Sequence, residues 1–186
     1  MAEGKYVNIH QALIDRCKAR DRQAQFEIYK LYYKSMFNTC LRIVNDTTEA
    51  EDVMQEAFFK AFEKIDTYRN EVSFGAWLKR IVVNSSLDQL KKRKIQVVQL
   101  DSAFGVKDEE PLISDDVEPE SVEVLKKAID LLPEGFKLAI NLLMIEGYSH
   151  EEFAEMFGIT TSTSRSQLAR AKKRLIELLN KQHKTK

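Results

Sequence analysis

The chain has 186 residues, 44% hydrophobic and 31% charged, which suits one medium domain or two small ones with real cores. Its formal net charge is +0, yet residues 95–123 hold nine acids against the single Lys107, while the segments before and after carry 17 bases to 13 acids and 11 to 7. No apolar signal core opens the chain and no apolar run approaches the roughly 18 residues a membrane span requires, so a cytoplasmic protein without direct membrane insertion is expected.

Apolar spacing is helical throughout, and no alternating strand pattern of useful length occurs. Ile9, Leu13, Ile14 and Cys17 predict a short helix behind Asn8. Asp21 opens a long second helix with Ala24, Ile28, Leu31, Tyr32, Ser35, Met36, Thr39, Cys40 and Ile43 on one stripe, ended by Asn45-Asp46. Thr48 and Glu51 read as a capping box for a third helix that buries Ala50, Val53, Met54, Ala57, Phe58, Ala61, Phe62 and Ile65. After a loop over 66–72, Ser73 caps a fourth helix with Phe74, Trp77, Leu78, Ile81, Val82 and Ser85 inward, closing on Lys91, Lys92, Arg93 and Lys94. Cys17 and Cys40 lack a Cys-x-x-Cys spacing and are expected as buried free thiols. His10, His150 and His183 lie far apart, so no metal site, cofactor or catalytic constellation is implied.

Over 95–119 the periodicity fails and Asp, Glu, Gly105, Pro111 and Pro119 accumulate, as in an acidic flexible linker that repels nucleic acid. Helical spacing resumes at Val122, Leu125, Ile129 and Leu132; Pro133 breaks it, and Phe136 to Ile145 forms a further helix. The expected architecture is all-α, with two helical domains over 8–94 and 120–180.

The second domain ends in a helix-turn-helix. Ser149 caps a short helix carrying Phe153, Ala154 and Phe157, and Gly158 supplies the left-handed conformation that stops it. A second helix begins among Thr160, Thr161, Ser162 and Thr163 and continues through Arg165, Arg170, Lys172, Lys173 and Arg174. From Ile159 onward Glu177 is the single acid against eight Lys and Arg. Small uncharged side chains followed by cations suit a helix end in the major groove, short groups near base edges and long ones on phosphates. A solvated basic surface helix is the alternative reading of these residues alone.

Several motifs in order carry a family resemblance. Thr48-Glu49-Ala50-Glu51-Asp52-Val53-Met54-Gln55-Glu56-Ala57-Phe58-Phe59-Lys60-Ala61-Phe62 resembles the polymerase-binding helix of bacterial sigma factors. Phe74-Gly75-Ala76-Trp77-Leu78 with Ile81, Asn84, Asp88 and Arg93 resembles their promoter-melting helix. Leu132-Pro133-Glu134, Glu146-Gly147-Tyr148-Ser149 and the helix-turn-helix resemble sigma region 4. With regions 2 and 4 alone, the chain is similar to the extracytoplasmic-function (ECF) group of the sigma-70 family. The resemblance implies a non-catalytic polymerase subunit that directs core RNA polymerase, through its largest-subunit clamp and its flap, to promoter DNA, with an anti-sigma factor as a further partner. A helix-turn-helix regulator that never joins polymerase is the alternative function.

Asp52, Gln55, Glu56 and Phe59 recur at three- and four-residue steps, a polar face with one aromatic that suits docking to a basic partner. The resemblance makes that partner the polymerase clamp. Tyr68, Arg69, Asn70 and Phe74 offer aromatic and amide groups for an unstacked base, and the resemblance places the minus-10 element there. Arg80, Lys91 and Arg93 are expected on backbone phosphates. Trp77 reads as core. The minus-35 element falls by resemblance to Ser162, Thr163, Arg165, Ser166, Gln167, Arg170 and Lys173. Two positions depart from the family pattern: Ser164 stands where an apolar residue packs, which predicts looser docking of the second helix, and Gln167 stands where a base is common, which predicts adenine readout.

Overall fold

The computed structural model describes residues 8–93 and 119–183, with side chains of the second stretch described over 122–180. The chain divides into two compact units, Met1–Ile95 and Gln96–Lys186. Every regular element among the described residues is helical. The expected linker over 95–119 lies outside them apart from Pro119, as does Lys94.

The first unit comprises α1 (Gln11–Lys18), α2 (Arg22–Val44), α3 (Thr47–Glu63), a 3₁₀ turn (Ile65–Thr67) and α4 (Phe74–Lys92). Each long helix starts where a short polar side chain takes orphan backbone N–H groups. Asp21 accepts from Gln23 and Ala24 at 2.9 and 3.2 Å, and Ser73 accepts from Ala76 at 3.2 Å. The cap of α3 is Asp46, which accepts from Glu49 at 2.9 Å, and not Thr48. The same Asn45-Asp46 pair thus ends α2, with Asn45 left-handed at φ 54°, and starts α3.

Ile14, Cys17, Ala24, Ile28, Met36, Cys40, Val53, Ala57, Phe58, Ala61, Phe74, Leu78 and Val82 fuse into one core. Each fully buried large side chain there contributes about 1.5–3 kcal/mol. Three expected core positions differ: Ile9 is 90% exposed, Leu31 51%, and Ser35 also faces out. Ile9 precedes the helix, and Leu31 and Ser35 sit between the buried turns of α2, so neither stripe is as wide as the sequence implied. Gly75 permits the close approach of Tyr32, since a Cβ there would lie 3.2 Å from the Tyr32 ring.

In the second unit, α5 (Pro119–Asp130) is followed by α6 (Glu134–Ala139), which runs into a π-helical segment (Ile140–Ile145). The single expected helix over 136–145 therefore begins two residues earlier, behind Pro133, and widens at Ile140, where Glu146 N–H bonds the carbonyl of Asn141 at 2.8 Å. Then come α7 (His150–Phe157) and α8 (Thr161–His183). Ile129, Leu132, Leu138, Ile140, Leu142, Phe153, Ala154, Ala171 and Leu175 are buried, whereas Val122 is 45% exposed.

Candidate functional site

The polar face of α3 is laid out as its spacing requires. Ala50, Val53, Met54, Ala57 and Phe58 turn inward, which leaves Asp52, Gln55, Glu56 and Phe59 exposed on the other side. Phe59 is 68% exposed, an aromatic ring in water with charged groups around it. Glu56 pairs with Lys60 at 2.8 Å, and that hydrogen bond holds its carboxyl below the ordinary range, so the face stays anionic near neutrality.

Between α3 and α4 the structure divides the expected residues into a scaffold and a presented set. Tyr68 is 3% exposed and Phe74 fully buried, their rings 5.3 Å apart at 84° with Trp77 5.4 Å from each. These rings complete the core and offer no free face to a base, which corrects the stacking role expected for both. The Tyr68 hydroxyl donates to Val72 O at 2.7 Å and accepts from the Asn8 amide at 3.2 Å, satisfying the polar tip of a buried ring. Arg69 is exposed, and Asn70 is half-buried with a left-handed backbone, φ 60°. Asn tolerates that conformation better than most residues.

Residues at and beside α1 fasten this loop. Lys18 donates to Tyr68 O at 3.1 Å, Arg20 reaches Phe62 O at 2.6 Å and Asp66 at 2.7 Å, and Gln11 accepts from Asn70 at 3.0 Å. Arg20 is itself left-handed, φ 63°.

The cations of α4 serve different ends. Arg80 and Lys91 are exposed, Lys91 standing 3.8 Å from Asp88. Arg93 is half-buried and joins three helices: it donates to Glu49 at the start of α3 at 2.8 Å and to Val44 O at the end of α2 at 3.0 Å. It is a clip within the bundle, and the phosphate contact expected of it is corrected.

In the second unit Ser149 and Glu152 form a reciprocal capping box at the start of α7, and Gly158 closes the helix at φ 63°. Thr160 accepts from Thr163 N–H at 3.1 Å and so opens α8. Along α8, Ser164 and Gln167 join Ala171 and Leu175 on the buried side. The Ser164 Oγ lies 2.8 Å from His150 Nδ1, so this polar replacement is bonded into the helix pair and the expected looseness does not follow. Gln167 is 6% exposed and its amide donates to Gly135 O at 3.0 Å. An amide spent on α6 presents no edge to adenine, which corrects the readout expected of it.

Ser162, Thr163, Arg165, Ser166 and Lys173 are exposed, and Arg170 is half-buried. Ala169, which sequence reasoning passed over, is exposed with them. Its signal was its place three residues beyond Ser166 and four before Lys173; its methyl group suits contact with a thymine methyl.

The fold and these faces define a two-unit helical protein that combines an acidic-aromatic docking face with a helix-turn-helix whose outward helix is basic. The sigma-70 region 2 model matches residues 28–95 and the sigma-70 region 4 model residues 123–175. The chain is 30% identical to the RNA polymerase sigma-H factor of Pseudomonas aeruginosa over 91% of its own length and 93% of that protein's. It is 27% identical to the ECF RNA polymerase sigma factor SigW of Bacillus subtilis, covering 87% of this chain and 92% of that one. Among solved structures, the sigma factor RpoE of Bartonella quintana, determined in complex with the anti-sigma factor NepR, aligns with TM-score 0.56 and 27% identity over 83% of this chain and 95% of that one. The chain belongs to the sigma-70 family of RNA polymerase sigma factors, within its ECF group.

Proposed function

We propose that this sigma factor works through two surfaces, one in each of the domains 8–94 and 120–180, and that it acts in the cytoplasm as a non-catalytic subunit, nucleotide addition belonging to the polymerase. The observation that carries the reading is Phe59, an exposed aromatic inside the charged face of Asp52, Gln55 and Glu56. Such a group is costly to leave in water and fills a pocket when a partner docks, while the charges set register. The partner is the clamp of core RNA polymerase; the flap engages the second domain.

Arg69 and Asn70 form the presented part of the minus-10 site, on a scaffold of Tyr68, Phe74 and Trp77, with Arg80 and Lys91 on flanking phosphates. Ser162, Thr163, Arg165, Ser166 and Ala169 lie against base edges of the minus-35 element, and Arg170 and Lys173 hold its backbone. RpoE of Bartonella quintana, seen with NepR, supports a further partner, an anti-sigma factor that holds this chain until it is needed. A helix-turn-helix regulator acting without polymerase would leave the region 2 match and the α3 face without a role.

Reconstitution tests the reading. Core polymerase supplied with this protein should transcribe from a specific subset of promoters and from none without it. The doubly reversed Asp52→Lys, Glu56→Lys protein should fail to associate with core while keeping its helix content. Unchanged core affinity in that variant would remove the α3 face from the mechanism.

A further inference from the structure

The docking face of α3 carries its own counter-ion. Lys60, one turn beyond Glu56, lies 2.8 Å from its carboxylate, and the same ammonium reaches across to α4, 3.5 Å from the Ser85 hydroxyl. The Lys60 hydrogen bond is the largest influence holding the Glu56 carboxyl low; desolvation opposes it, and the charges of Lys60 and of Lys92 on α4 add to it. Further along the same pair of helices Arg93 holds Glu49. The two ion pairs differ in access. The Arg93 and Glu49 side chains are 28 and 32% exposed, and the guanidinium also bonds Val44 O, so that pair is fixed in the bundle. Those of Lys60 and Glu56 are 38 and 54% exposed, and the ammonium has no backbone acceptor among the described residues. An ion pair this open is worth little net, so a competing cation exchanges with it at small cost.

We propose that Lys60 is an exchangeable counter-ion that couples polymerase docking to promoter binding. In the free protein it neutralises Glu56, and a cation of the docking partner displaces it from that carboxylate. The released ammonium, on the α4 side of α3, joins the positive charge that α4 turns to promoter phosphates. Docking thus gives up one weak ion pair and returns a free cation to the DNA-binding helix. Coupling of this kind is reciprocal, so promoter DNA that draws Lys60 away from Glu56 tightens the grip on polymerase by the same factor. The exposure of the pair limits that factor to about fivefold. The inference rests on the reading of α3 as the polymerase-docking face and of α4 as a phosphate-binding helix.

The test measures the affinity of labelled full-length protein for core polymerase, then that of the holoenzyme for one promoter at several salt concentrations. Lys60→Met, which keeps the aliphatic stem without the charge, should tighten core binding about two- to fivefold. It should also weaken promoter binding by the holoenzyme and reduce the salt slope by up to about one unit. Opposite signs at the two steps are what an exchanged cation produces and what a folding defect does not. Lys60→Arg should match wild type at both steps, and the thermal transition of the free protein, followed by Trp77 fluorescence, should be unchanged in both variants. In Glu56→Gln protein, Lys60→Met should leave core affinity where it was, since no carboxylate remains to unmask. An equal gain in that background would make the effect one of net charge and overturn the proposal. Core affinity that Lys60→Met leaves unchanged or lowers overturns it too, as does promoter affinity left unchanged. Glu56→Gln alone separates the two readings. If it does not weaken core binding, the α3 face is not the docking site and the exchange falls with it; if it does while the Lys60 results fail, the exchange alone is wrong.

Discussion

His150 and Ser164 bind the two helices of the helix-turn-helix to each other: the imidazole Nδ1 of the first residue of α7 lies 2.8 Å from the hydroxyl of the fourth residue of α8. Ser164 is fully buried, so its hydroxyl has exchanged water for this one bond. A buried hydroxyl stripped of its partner costs about 1–3 kcal/mol, whereas removing both partners is nearly neutral.

His150→Ala should accordingly destabilise the second unit by roughly 1–3 kcal/mol, and adding Ser164→Ala should restore part of that loss, a coupling expected of residues in contact. Trp77, the single tryptophan, sits in the first unit. The readout is therefore amide hydrogen exchange over α7 and α8 in the full chain. Strict additivity of the two substitutions would show that the bond contributes nothing.

Reading and holding should separate along α8. Ser166→Ala or Arg165→Ala should change the preferred base at one minus-35 position by roughly 1–3 kcal/mol, while Lys173→Ala should weaken all promoters alike and reduce the salt slope by about one unit. Gln167→Ala, which frees Gly135 O, should lower second-unit stability and depress every promoter by one common factor. Holoenzyme titrations on a promoter panel at several salt concentrations distinguish these patterns, and a base-specific effect of Gln167→Ala would mean that α8 turns a different face to DNA.

Phe59→Ala should leave folding within about 0.5 kcal/mol of wild type, as surface substitutions do. It should nonetheless cost about 2 kcal/mol or more in core-polymerase affinity if the ring anchors the interface. Urea unfolding and a fluorescence titration with core enzyme, run on the same preparation, measure both quantities.

The thiol of Cys40 is pushed up to about 11 by burial. Native protein at pH 8 should therefore react with iodoacetamide far more slowly than urea-unfolded protein, since the thiolate is the nucleophile. The sign of the linkage follows: a folded pKa above the unfolded value of about 8.5 gives stability that is intact below that pH and declines as pH rises through about 11. Cys40→Ser should remove this part of the alkaline decline, and an identical decline in the variant would place its origin elsewhere.

Much of this was legible because helical period and burial coincide. The α3 face follows from Val53, Ala57 and Phe58 alone, and the Ser149 box and the Gly158 stop are local chemistry. The failures share one cause: residue type outvoted position. Gln167 lies three residues beyond Ser164 and four before Ala171, on the inward stripe, but its polarity marked it as a reader. Tyr68 and Phe74 flank a polar loop, and only the fold shows that the loop turns both rings back into the bundle. Asp46 was read as the end of one helix when it also begins the next.

The wide turns over Ile140–Ile145 have a geometric corollary. An α-helix advances about 100° per residue, and a π-helical stretch accommodates a residue that α winding would not. Deleting one residue there should let the segment revert to α winding with little change in the direction of its exit at Glu146, whereas an extra residue in α6 that was not absorbed in this way would turn that exit by about 100°. One short stretch of loosened coil thus takes up a residue that regular winding would have turned into a rotation of everything after it.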